Sequence, residues 1–241
     1  MADVARVMKD LDLARSADQV SEAINALAEF GELAVPALIE YGRSPDRRRW
    51  TLVMRALQQM GYPSNGSALP YIVGQVSNIN SPAWDLTLSM LKAIGEPAIP
   101  HVRKSLEFYS NDLDRYGDAI QGLCVLLEQL GSPTIDPLAP ELLRLLEAGT
   151  GENPVDLYAI GPLRRIGSPK ADAAIPLLAN KIHSTRSGRI RRECIEALED
   201  FDASVIRPLV PILRERLDED SEELRSSARR ILDLLGESST D

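Results

Sequence analysis

Apolar side chains recur along this chain at i, i+3, i+4 and i+7, in blocks of about a dozen residues that each end at a glycine or its equivalent. Ala26-Leu27-x-x-Phe30-Gly31 returns as Ala56-Leu57-x-x-Met60-Gly61 and Met90-Leu91-x-x-Ile94-Gly95. It returns again ending at Gly131, Gly167, Asp202 and Gly236. The end points are 30, 34, 36, 36, 35 and 34 residues apart. A helical pattern with a period near 35 residues predicts an α-solenoid, in which each unit is a helical hairpin stacked on its neighbours.

Counting back from each stop, positions −1, −4, −5 and −8 are almost uniformly apolar, and position −4 is leucine in all seven copies. These positions share one helical face. The block before each stop is therefore the second helix of a hairpin. These second helices are expected near 18–30, 46–60, 82–94, 111–130, 153–166, 187–201 and 219–235. The glycine supplies a positive φ, with a left-handed cap as the expected conformation. A proline follows at Pro36, Pro70, Pro100, Pro137, Pro176 and Pro208, where a first helical turn does not need its missing N–H. First helices follow near 34–42, 66–77, 96–109, 134–148, 170–184 and 203–217, and a short helix near 2–13 closes the N-terminal end. The turn at Gly149–Asn153 joins two helices. Gly161-Pro162 falls inside a second helix, and a kink is expected there because proline loses one backbone bond. Position −7 is apolar until the last copy, where it becomes Arg229 beside Arg225 and Arg230, as expected of a C-terminal cap. The reading is one solenoid domain over 1–236 with a frayed polar tail at 237–241.

Composition sharpens this picture. Aromatic residues make up only 5% of 241, so the core is expected to be aliphatic. Cys124 and Cys194 fall in adjacent apolar columns and read as small buried residues rather than a disulfide framework. The net charge is −9, against the basic footprint of a nucleic-acid binder. Met1–Ser16 has no apolar run, so no signal peptide is expected, and no stretch is long and apolar enough for a membrane span. A cytoplasmic location and a monomer are the default expectations.

Ile190-Arg191-x-x-Cys194-x-x-Ala197-Leu198-x-x-Phe201 resembles the second helix of a HEAT repeat, in the short variety found in phycobilisome-lyase-like proteins. Leu224-Arg225-x-x-Ala228-x-x-Ile231-Leu232-x-x-Leu235-Gly236 is similar to it as well. Gly31–Leu38 and Gly95–Pro100 resemble the first-helix half. The likeness spans residues 18–236 and implies an all-α, right-handed solenoid of about six repeats with capping helices. Function does not follow from it, because the family hosts scaffolds, chaperones, lyases and a few enzymes. The arginine that the family places at position −11 is present as Arg191 and Arg225, but Trp50, Trp84, Ile120 and Asp156 replace it elsewhere. In the family that arginine joins a polar ladder between repeats.

No set of residues converges on a reaction. His101 and His183 lie 82 positions apart without a matching cluster, so neither a metal site nor a histidine-based triad is expected. The His-Glu dipeptides with which HEAT-like hydroxylases bind iron are absent. Gly149–Asn153 lacks the Lys-Ser/Thr of a phosphate loop. No cofactor is expected. Trp50 and Trp84 share position −11, with Arg55 and Asp85 near them. They fit packing in the seam between repeats, an aromatic ledge for a ligand, or a cleft of the kind the resemblance implies for alkylpurine DNA glycosylases. Arg47-Arg48-Arg49 opens a helix, where cations oppose the macrodipole, which favours an acidic partner there.

The family lines its concave surface with second helices. Here they carry Arg55, Lys92, Glu128, Arg164, Arg165, Glu199 and Asp200 beside their apolar stripe. Mixed polar groups suit recognition of another protein. The expected function is a non-catalytic scaffold or adaptor binding a partner protein through that face, with Trp50, Trp84 and Asp85 as further contacts. Two alternatives stay open. One is an enzyme-like protein, either a bilin lyase or chaperone or a glycosylase. The other is an acidic regulatory or toxin-neutralising partner acting through its C-terminal half.

Overall fold

A computed structural model describes residues 2–149 and 155–237. Of the turn expected at Gly149–Asn153, residues 150–153 lie outside the described residues, as do residues 238–241 of the expected tail. The described chain is helical throughout, with no strand. No helix among the described residues is long and apolar enough to cross a membrane. The chain divides into two compact units, Met1–Ser105 and Leu106–Asp241.

In the first unit α1 (Ala2–Leu13) precedes two hairpins. The first pairs α3 (Val35–Gly42) with α4 (Arg47–Met60), and the second pairs α5 (Leu69–Val76) with α6 (Trp84–Ile94). With α2 (Ala17–Phe30), the second helices α4 and α6 form one layer, while α1 packs on α3. The helix α7 (Ile99–Tyr109) runs across the boundary. In the second unit α8 (Leu113–Leu130), α10 (Val155–Ile166), α12 (Gly188–Ala197) and α15 (Glu222–Leu234) pack in sequence as one layer. Their partners are α9 (Ala139–Ala148), α11 (Ala174–Ser184), the short α13 (Ala203–Ile206) and α14 (Val210–Glu215), with α9, α11 and α14 in successive contact. The first helices open with a tight 3₁₀ turn in most hairpins, for example Gly66–Ala68 before α5.

The −4 leucines are the seam of both units. Leu27, Leu57, Leu91, Leu127 and Leu198 are fully buried, and Leu163 and Leu232 nearly so. Burying each contributes about 1.5–3 kcal/mol. At position −7, Ile24, Met54, Leu88, Cys124, Ile160 and Ile195 are buried and Arg229 is exposed, as a capping helix requires. Both cysteines are buried. Burial pushes the Cys194 thiol up to about 12 and raises that of Cys124 as well, which keeps both neutral.

All six glycine stops have positive φ, and four differ from the expected left-handed cap: ψ at Gly61 and Gly131 is 168° and 175°, and at Gly31 and Gly95 −134° and −132°. At these four the residue turns the chain out of the helix and does not continue it in left-handed form. At the one stop that is not glycine, Asp202 has φ −61°. A residue with a Cβ avoids positive φ, and here α12 ends early in a 3₁₀ turn over Leu198–Asp200. A Cβ on Gly95 would meet nothing within 4 Å, so Gly95→Ala tests the backbone alone. It should cost about 1–3 kcal/mol, read as a lower urea midpoint. An unchanged midpoint would mean that the stop does not need glycine.

At Gly161-Pro162, where a kink is expected, α10 runs unbroken from Val155 to Ile166 with the proline inside it. Contacts from α8, α9 and α12 on its sides offset the one lost backbone bond. A non-helical residue, Tyr116, lies within α8 (φ −114°, ψ 16°). The tail also begins later than expected. The Glu237 N–H donates to Leu232 O at 2.8 Å, and its carboxylate pairs with Arg207 and Arg214. With Gly236 at φ 70°, this wrap closes the open carbonyls of α15.

Candidate functional site

At position −11, singled out by its variety, Arg191, Arg225 and Trp84 close the turn between the two helices of a hairpin. Arg191 donates to Thr185 O at 2.6 Å, and Arg225 donates to Glu219 O at 2.5 Å. In both cases the carbonyl lies six residues earlier, at the end of the preceding first helix. Arg191 also pairs with Glu219 of the next hairpin at 2.6 Å, so a ladder between repeats is present in the C-terminal part. Trp84 does the same work with its indole, donating from Nε1 to Val76 O at 3.3 Å. Where the residue is Asp156, the donor comes from the next repeat. Lys181 Nζ reaches Gly149 O at 2.7 Å and the Asp156 carboxylate at 3.2 Å. The Asp156 side chain is 1% exposed and that of Lys181 12%, so this is a buried ion pair. Gly149 is required beside it, because a Cβ there would stand 2.5 Å from Asp156 Cβ. The pair lies in a cleft of about 570 Å³ bounded by α9, α11 and the start of α12.

Trp50 and Trp84 are both half-buried, and Trp84 is committed to its turn. Arg55 and Asp85 are exposed and form no ion pair with each other. The basic run Arg47-Arg48-Arg49 is largely spent inside the molecule. Arg48 donates to Ala14 O at 2.5 Å, beyond the end of α1. Arg49 pairs with Asp12 at 3.0 Å and lies over the Tyr41 ring at 4.6 Å. The Tyr41 hydroxyl donates to Asp12 at 2.9 Å. That hydroxyl, together with the Arg49 guanidinium, holds the Asp12 carboxyl below the usual range, while burial and Asp12 push the Tyr41 phenol up to about 12. These contacts fasten α1 to the first hairpin and account for the cations at a helix start.

Along the second helices of the second unit, charged side chains pair from one repeat to the next. Arg164 meets Asp200 at 2.5 Å, Arg230 meets Glu199 at 2.9 Å, and Arg192 meets Glu223 at 2.5 Å. The acidic residues Glu199 and Asp200 are therefore already neutralised within the chain. Two members of the row stand apart. Arg165 is exposed with no ion pair, and Glu128 is half-buried against Gly161. A Cβ on Gly161 would lie 1.8 Å from Glu128 Oε1, so the glycine inside α10 makes room for that carboxylate. Burial raises the Glu128 carboxyl, opposed by the charges of Arg165 and Arg164. Glu128, Gln129, Gly131, Ser132 and Arg165 line an open cleft of about 540 Å³. In the first unit Arg55 and Lys92 are exposed and likewise carry no ion pair. Among the described residues there is no cluster of metal-ligating side chains, and His101 and His183 have no shared partner.

No family model matches this chain, and no curated protein matches it. Among solved structures it is similar to an engineered protein from the Northeast Structural Genomics Consortium, at 18% identity and a TM-score of 0.50, covering 99% of this chain and 69% of that one. It is also similar to human deoxyhypusine hydroxylase in complex with glycerol, at 19% identity and a TM-score of 0.40, covering 97% of this chain and 84% of that one. At 18% identity the likeness to the engineered protein is one of fold.

Proposed function

We propose that this chain is a HEAT-type repeat protein that binds another protein through the exposed sides of its second helices, in a scaffold or adaptor role. The observation that carries this reading is the Glu128–Arg165 cleft. On a row where neighbouring charges are tied at 2.5–2.9 Å, Arg165 remains exposed without an ionic partner beside an open cleft. A guanidinium with five fixed donors is well suited to a carboxylate or a main-chain carbonyl from a partner. The paired neighbours hold the surrounding surface in one shape, which reduces the ordering cost of binding. The ladder also explains why Glu199 and Asp200 contribute to the shape of the face more than to its field. Arg55 and Lys92 extend the same kind of surface in the first unit.

The test is affinity capture from a cell lysate with the wild-type chain and Arg165→Glu side by side. A defined protein held in stoichiometric amount by the wild type, and reduced at least tenfold with Arg165→Glu, is the expected result. Equal capture by both forms would remove the second-helix face as the binding surface.

A further inference from the structure

We propose that the aromatic corner between α7 and α8, with the carboxylates around it, docks a lysine- or arginine-bearing segment of another protein. Only 11 of the 241 residues are aromatic, yet three of them meet here. The Phe108 and Tyr109 rings lie 5.4 Å apart at 72°, Phe108 and Tyr116 are at 5.5 Å, and Tyr109 and Tyr116 at 5.1 Å. These are favourable edge and tilted contacts, so the cluster holds itself in place. The non-helical residue in α8 is Tyr116 itself, the member contributed by that helix. Phe108 is 58% exposed, the only phenylalanine of the chain so placed. An exposed ring in a fixed cluster leaves part of its surface open, and a cation seated over a ring face is attracted by the ring quadrupole.

The surroundings favour a cation. Between residues 103 and 120 there are four carboxylates, at Glu107, Asp112, Asp114 and Asp118, against three cations, Arg103, Lys104 and Arg115. Glu107 and Asp118 are exposed with no ion pair. Asp112 caps α8 by accepting the Arg115 N–H at 3.1 Å. Arg115 lies over the Tyr116 ring at 5.3 Å, which shows within the chain that this cluster accommodates a guanidinium, and it leaves Phe108 uncovered. The charge of the unit points the same way. Leu106–Asp241 carries 16 Lys and Arg against 25 Asp and Glu, while Met1–Ser105 carries 11 of each. The whole net charge of −9 thus belongs to the unit that holds this corner. The field draws a basic segment in, and the aromatic faces select where it sits. The surface shares no residue with the Glu128–Arg165 cleft and stands independently of the function proposed above.

The probe is a fluorescein-labelled octa-arginine peptide titrated into the full chain at low salt and followed by anisotropy, with an octa-glutamine peptide as control. Phe108→Ala should weaken octa-arginine binding about two- to fivefold, the size of an exposed cation–π contact. Glu107→Gln with Asp118→Asn should weaken it further. Asp218→Asn with Asp220→Asn, the same charge change elsewhere on the unit, should leave it nearly unchanged, and so should Arg165→Glu. Wild-type affinity in Phe108→Ala would overturn the proposal. So would an equal loss from the Asp218 and Asp220 substitutions, since attraction would then be general and not sited. Phe108 is exposed, so its truncation leaves the fold intact, and an unchanged helical circular dichroism spectrum verifies this.

Discussion

Asp156→Ala should destabilise the second unit by about 3–5 kcal/mol, the cost of leaving the buried Lys181 ammonium without its counter-charge. The geometry says why the effect is large. Lys181 also holds Gly149 O at 2.7 Å, so the carboxylate, the ammonium and the end of α9 form one network. Removing Asp156 leaves a charge in a site built around it. The measurement is urea unfolding followed by circular dichroism, comparing wild type, Asp156→Ala and the double replacement Asp156→Leu with Lys181→Met. The double variant should recover most of the loss, because it removes both charges and their desolvation together. If Asp156→Ala unfolds at the wild-type midpoint, the pair is not a structural element of the unit.

Leu127→Ala should cost about 2–5 kcal/mol. Leu127 is fully buried in α8, at the −4 position where all seven copies carry leucine. Truncation forfeits its transfer free energy and leaves a cavity between α8 and the helices packed on it. A solenoid transmits such a loss to its nearest neighbours first, so hydrogen exchange should quicken in α8 and α10 before α15. Arg229→Ala, at the exposed −7 position of the last helix, should change the midpoint little. The contrast between the two separates the packed stripe from the capping face. A Leu127→Ala midpoint equal to that of Arg229→Ala would contradict the seam assignment.

Helix boundaries were legible to within a few residues wherever an apolar stripe ended in glycine. The period of 3.6 and the positive-φ stop are local properties, and α1, at Ala2–Leu13, coincides with the segment expected at 2–13. Proline at 162 carries a local penalty, but α10 continues through it, packed among three other helices. Tyr116 precedes Gly117, a local weak point in a helix, and its conformation accompanies ring contacts with Phe108 and Tyr109 on another helix.

The candidate surface was legible in kind but not in its electrostatics. Exposure of Arg55, Asp85, Lys92, Arg165, Glu199 and Asp200 follows from their place beside the stripe. The partners of those charges do not. Arg164 and Asp200 are 36 residues apart, and Glu199 and Arg230 are 31 apart, so only the stacking of repeats brings them together. Arg47-Arg48-Arg49 looked like an unbalanced run, and its balance lies on α1 and beyond its end, at Asp12 and Ala14.

Repetition of an apolar stripe, leucine at each −4 position and a stop at each repeat determined an all-α chain of helical hairpins, because burial of one helical face and the backbone freedom of glycine act within a few residues of each other. Tertiary structure alone decided which charges are spent and which stay open. It buried Asp156 against Lys181, seated Glu128 over Gly161, gathered Phe108, Tyr109 and Tyr116 into one corner and left Arg165 without a partner. Charge and ring contacts depend on distances between side chains far apart in sequence, and those distances exist only once the repeats have stacked.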